Sequence, residues 1–62
     1  MARILRLPQI IETVHLSRST IYSLVKKGEF PAPIKLGPRA SGWLASEIET
    51  WIEELARKRG VA

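Results

Sequence analysis

The stretch Leu16-Ser17-Arg18-Ser19-Thr20-Ile21-Tyr22-Ser23-Leu24-Val25-Lys26-Lys27-Gly28 decides how this sequence folds. At about 100° per residue, Ile21, Leu24 and Val25 share one side of a helix. Ser17 stands before them as an N-cap, Lys26 and Lys27 put cations at the carboxyl end of the dipole, and Gly28 offers the left-handed residue that ends such a helix. The spacing predicts a helix over residues 18–27. Upstream, Leu7, Ile10, Ile11 and Val14 recur at i, i+3, i+4 and i+7, with Pro8 at the first helical position, which predicts a helix over 8–14. Only His15, Leu16 and Ser17 lie between the two, the spacing of a helix-turn-helix.

Working downstream, Phe30-Pro31-Ala32-Pro33 is expected to cross in extended geometry with Phe30 packed inward, because each proline disfavours helix in the residue before it. Ile34-Lys35-Leu36 alternates apolar and basic, Gly37-Pro38 breaks the chain, and Gly42-Trp43-Leu44 resumes it. This reads as a two-stranded hairpin over 34–44 with a five-residue tip, Gly37 to Ser41. Alone it would be marginal, so it must lie on the helices. Ile48, Trp51, Ile52 and Leu55 then give an amphipathic helix over 46–59, with Glu47, Glu49, Glu53 and Glu54 largely on the other side. Ser46 and Glu49 have capping-box spacing, a start one or two residues earlier staying open, and Gly60 ends the helix. Trp43 and Trp51 fall inward, where they would supply much of a small core. The expected fold is mainly α, a winged helix-turn-helix of three helices and a two-stranded wing in one domain, residues 1–62.

Composition narrows the function. A chain of 62 residues with no cysteine has neither disulfides nor a Cys-ligated zinc to support it, so packed helices must hold it. A core this small can hardly spare the buried walls of a catalytic pocket, which argues against an enzyme. The sequence has no apolar run long enough for a membrane span and no signal-peptide h-region near its start, so a soluble, cytoplasmic protein is expected. His15 has no cysteine or carboxylate at ligand spacing and reads as a turn residue rather than a metal ligand. The four glutamates of the last helix read as solubilising charges rather than paired catalytic carboxylates. Neither metal nor cofactor is called for.

The net charge is +4, and it is unevenly placed. Residues 1–39 hold seven basic against two acidic side chains, a net of +5; residues 40–62 hold three against four, a net of −1. A one-sided basic balance suits a polyanion such as nucleic acid, although it also serves solubility. On the second helix, Ser19, Tyr22, Ser23 and Lys26 lie opposite the apolar side, with Arg18 and Thr20 flanking near the amino end, and no acidic residue occurs from 16 to 28. Such a helix can enter the major groove, Arg18 donating to guanine and Ser19, Thr20 and Tyr22 touching bases or phosphate. Lys35 and Arg39 make the hairpin a basic wing for backbone or minor groove. The blander reading, an ordinary solvated helix face and a solubilising turn, uses the same residues.

Leu7-Pro8, Leu16-Ser17-Arg18-Ser19-Thr20-Ile21-Tyr22, Gly28-x-Phe30-Pro31-x-Pro33, Leu36-Gly37, Trp43 and Glu47-Ile48-x-x-Trp51-Ile52 together resemble the AlpA family of phage and prophage transcriptional regulators. That family is grouped with excisionases and MerR-type DNA-binding domains among winged helices. The resemblance covers roughly residues 3 to 55. It implies a module of a mobile element that binds double-stranded DNA and controls excision or integration genes. Arg18, Ser19, Thr20 and Tyr22 would be its recognition-helix contacts, Lys35 and Arg39 its wing contacts, and RNA polymerase or an integrase its protein partner. His15 departs from the glycine that many members carry in the turn. An excisionase-like protein that bends DNA for an integrase is the alternative, and an interaction module such as an anti-repressor a second. The last helix, at about four turns, is too short for a coiled coil, so a monomer that associates on DNA is expected.

Overall fold

A computed structural model describes residues 2–59, and within them three short strands and three helices follow in the order β-α-α-β-β-α. Strand β1 is Ile4–Leu5, helix α1 Leu7–Val14, helix α2 Arg18–Lys27, strand β2 Ile34–Gly37, strand β3 Ala40–Leu44 and helix α3 Ala45–Lys58. The strands form one antiparallel sheet in the order β1-β3-β2. The fold is the expected one, a winged helix-turn-helix, mostly α with a β wing.

Several elements differ in detail from the sequence reading. Helix α1 starts at Leu7, so Pro8 takes the second helical position, and the Gln9 side-chain Oε1 accepts the Arg6 N–H at 2.9 Å to close the start. The wing is part of a three-stranded sheet, because Ile4 and Leu5 pair with Leu44 and Trp43; two residues are too few for an alternation to show. Its tip is only Pro38-Arg39, not five residues, since Gly37 and Ala40 pair with each other. Leu36 makes this possible: the register slips between Lys35 and Gly37, one residue bulges, and pairing continues almost to the turn, where Pro38 fixes its own φ. Helix α3 starts at Ala45 rather than 46 and ends at Lys58, and Ser46 is not its cap. Strand β3 runs straight into it, and the Ala45 N–H goes to the Arg3 carbonyl at 2.8 Å, which replaces a side-chain cap. The expected stop at Gly60 lies outside the described residues.

Between sheet and helices sits a core of five residues, Ile10, Ile21, Phe30, Trp43 and Ile48. Each helix contributes one, β3 one and the proline-bounded crossing one. Phe30 is buried as expected and meets Trp51 edge-on at 4.6 Å between centroids and Trp43 at 6.4 Å. Trp43 is fully buried and donates Nε1–H to the Pro31 carbonyl at 2.7 Å. Trp51 faces inward and packs against this core as expected but is only half-buried, its Nε1–H held by the Glu29 carbonyl at 2.8 Å. Both indoles thus fasten the irregular segment 29–31 to the body by its carbonyls.

Candidate nucleic-acid interface

The turn between α1 and α2 is built from two complementary ends. His15 adopts left-handed geometry, φ 57° and ψ 37°, and gives its N–H to the Ile11 carbonyl at 2.8 Å. Histidine is among the non-glycine residues that tolerate this region, and here it ends α1. Two residues on, the Ser17 hydroxyl accepts the Thr20 N–H at 3.2 Å and donates to Thr20 Oγ1 at 2.9 Å. At the far end, Gly28 at φ 77° gives its N–H to Val25 and Glu29 gives its N–H to Leu24, at 3.0 and 2.8 Å, a Schellman pair. Helix α2 is therefore closed at both ends, and its side chains are displayed by a rigid element.

Ile21 is the fully buried residue of α2, with Leu24 and Val25 half-buried beside it. Arg18, Ser19, Thr20, Tyr22, Ser23 and Lys26 are all exposed. Tyr22 is 42% exposed, and its ring lies 6.4 Å from that of Trp43, tilted by 51°. That contact orients the helix: the flank with Tyr22, and with Arg18 one turn earlier, looks toward the sheet, while Ser19, Ser23 and Lys26 look outward. Thr20 lies on the opposite flank with its hydroxyl already engaged by Ser17, so it serves the cap and stands apart from the other five.

Lys35 comes to the same side as Tyr22 by register. It pairs with Ser41, and in a pleated strand Ser41 and Trp43 share a face. Since Trp43 points into the core beneath Tyr22, Lys35 and Ser41 continue that face outward beside α2, and Arg39 stands exposed at the tip beyond them. Ile4, Ile34 and Leu36, each at least 37% exposed, belong to the other face. Ser41 was missed by the sequence reading, which put it in the tip; recognising Pro38-Arg39 as the whole turn would have paired it with Lys35. The exposed basic and hydroxyl-bearing residues of α2 thus flank Tyr22, and Lys35 and Ser41 lie on the sheet face that Tyr22 meets through Trp43. A groove of about 790 Å3 lies elsewhere, its walls including Glu29, Phe30, Glu47, Trp51, Glu54 and Lys58, three carboxylates to one ammonium. Its carboxylates make it unsuited to phosphate.

A turn-linked helix pair with a basic wing beside the second helix defines the winged helix-turn-helix class. Residues 3–57 match the family described as prophage CP4-57 regulatory protein (AlpA), and the chain belongs to that family. It is 47% identical over 60 residues to the uncharacterized protein ORF88 of Enterobacteria phage P4, covering 94% of this chain and 68% of that one. It is 34% identical over 58 residues to the DNA-binding transcriptional activator AlpA of Escherichia coli (strain K12), covering 84% and 83%. No helix among the described residues is long and apolar enough to cross a membrane.

Proposed function

We propose that this chain is a sequence-specific double-stranded DNA-binding regulator of transcription of the phage or prophage type. The observation that supports the reading is the exposed side of α2, where Arg18, Ser19, Tyr22, Ser23 and Lys26 stand with no acidic residue among residues 16–28, and where Tyr22 meets Trp43 of the strand whose register puts Lys35 on the same sheet face. A relative named as a DNA-binding transcriptional activator supports it. In this reading α2 enters the major groove. Arg18 reads a guanine edge, Ser19 and Ser23 bond bases or phosphates, and Tyr22, backed by Trp43, packs on a thymine methyl or a phosphate. Lys26 and Lys35 hold the flanking backbones, and Arg39 enters the neighbouring minor groove at the wing tip. The chain performs no chemistry; by occupying its site it recruits or blocks polymerase.

Titration of a duplex carrying the upstream region of its own operon, followed by fluorescence anisotropy from low to high salt, tests this. With about four phosphates contacted, log affinity falls against log salt with a slope near −4. Binding that ignores salt, or none at all, would leave the interaction-module reading instead. Phased occupancy of several sites with bending would favour the excisionase-like one.

A further inference from the structure

On the exposed side of α2, Arg18, Ser19, Ser23 and Lys26 are polar donors, and Tyr22 is the only ring. Its ring lies 6.4 Å from that of Trp43, tilted by 51°, and the residue stays 42% exposed. Trp43 is in turn held from three sides. It is fully buried, gives its Nε1–H to the Pro31 carbonyl at 2.7 Å, and meets Phe30 nearly edge-on, at 75°. A tyrosine on a helix otherwise divides between two χ1 wells that send its ring to different places. Here the indole favours one of them.

We propose that Trp43 is a positioning residue for DNA recognition: it holds the Tyr22 ring where that ring covers the 5-methyl group of a pyrimidine. The contact rests on the DNA-binding reading above and decides between the two roles left to Tyr22 there. Phosphate is the poorer match. Arg18, Lys26 and Lys35 offer charge-assisted donors, roughly twice as strong as a neutral phenol. The ring offers what the other four residues of the helix lack, a flat apolar surface, and the thymine methyl is the apolar group of the major groove. Arg18 and Tyr22 share a flank one turn apart, about 6 Å along the axis, so the methyl lies within about two base steps of the guanine that Arg18 reads. Cytosine methylated at C5 presents the same group. Ordering a free side chain on binding lowers affinity about twofold to tenfold, a loss that a ring already seated on Trp43 avoids. Because Trp43 belongs to the strand whose Ser41 pairs with Lys35, one strand fixes both the ring and that basic residue of the wing.

Tyr22 is the only tyrosine in the chain, so its ring protons give an unambiguous signal. In the free protein they are expected to show nuclear Overhauser contacts with the Trp43 indole. Their absence overturns the positioning, whether or not a Trp43→Phe chain folds. On a duplex selected from a random library by the native chain, uracil then replaces each thymine in turn. At one position the replacement is expected to lower affinity about fourfold, the worth of one buried methyl, for the native chain and for Tyr22→Phe, but not for Tyr22→Ala. Trp43→Phe shrinks that discrimination, and Tyr22→Ala/Trp43→Phe behaves as Tyr22→Ala alone. The core control Ile10→Val lowers Tm and keeps the discrimination whole. At the same position 5-methylcytosine binds more tightly than cytosine. Indifference to uracil everywhere, with Tyr22→Phe weakening all duplexes alike, makes Tyr22 a phosphate contact and overturns the proposal. A Trp43→Phe chain that loses Tm but discriminates as before overturns it too, as does a selected site with no thymine within two steps of that guanine. Failure of the native chain to enrich any duplex defeats the DNA-binding reading and this contact with it, whereas enrichment without methyl discrimination defeats the contact alone.

Discussion

Two glycines show how differently single residues constrain this chain. A Cβ on Gly42 would stand 2.6 Å from Ile4 Cγ2 and 3.0 Å from the Leu5 carbonyl oxygen, so β1 can approach β3 only across a bare backbone. Gly28 has nothing within 4 Å of such a Cβ, and its requirement is conformational, φ 77°. Gly42→Ala is therefore expected to cost about 2 kcal/mol and to loosen β1 from the sheet, and Gly28→Ala about 1 kcal/mol with the sheet intact. Urea unfolding gives both values, and amide exchange at Ile4 and Leu5 separates the causes. Equal exchange in the two variants would refute the distinction. At the proposed interface, Arg18 lies on the flank of α2 beside Tyr22, and Arg39 stands at the tip of a two-residue turn. Arg18→Ala should relax sequence preference by about 1–3 kcal/mol at one base position. Arg39→Ala should weaken all duplexes alike, which competition between selected and random duplexes measures.

At the scale of elements, α2 is the one whose integrity matters most, because its first turn carries Arg18 and Ser19. The Ser17 hydroxyl both accepts the Thr20 N–H and bonds the Thr20 hydroxyl. Ser17→Ala leaves that N–H without its partner, and a loss of about 1 kcal/mol is expected. For a domain of this size that lowers Tm by roughly 4–8 °C; Ser17→Asp, which keeps an acceptor, should restore most of it. An unchanged Tm would mean that the cap contributes nothing. Helix α2 was legible in the sequence because its cap, apolar side and terminal glycine are all local signals. The fold class followed from α2, the short turn and the strand-like segment 34–44. What stayed hidden was set by tertiary contacts. Strand β1 exists because β3 offers an edge to Ile4 and Leu5, and α3 begins at Ala45 because the Arg3 carbonyl meets its N–H. The bulge at Leu36 shortened the wing turn and moved Ser41 from the tip to the side of Lys35. Thr20, exposed near the amino end of α2, carries the cap as well: its N–H and hydroxyl both bond the Ser17 hydroxyl, a pairing that helical angle alone did not reveal.

For the whole molecule, the small core and the uneven charge belong together. Among the described residues a cluster of five buried side chains, with partly buried neighbours packed against it, holds the chain, and a domain of this length has about 3–9 kcal/mol of stability at most, so binding energy is a large fraction of it. The basic residues of α2 and wing repel one another in the free protein, and phosphate relieves that repulsion on binding. A ligand that binds only the folded state adds about 2.7 kcal/mol at a hundredfold excess over its Kd. A duplex bound in the proposed way should thus raise Tm by roughly 10–20 °C at low salt. Because the affinity is electrostatic, the gain should shrink toward zero as salt rises through the range where the duplex is released, while the Tm of the free chain moves little or rises. Calorimetry with and without duplex across a salt series reads both curves. Lys35→Glu, placed beside α2 by its register with Ser41, should remove much of the duplex-dependent gain, whereas Glu54→Lys, on the wall of the acidic groove, should leave it intact or increase it slightly. If both substitutions changed the gain equally, binding would follow net charge alone, and the surface of α2 and wing would have no special part in it.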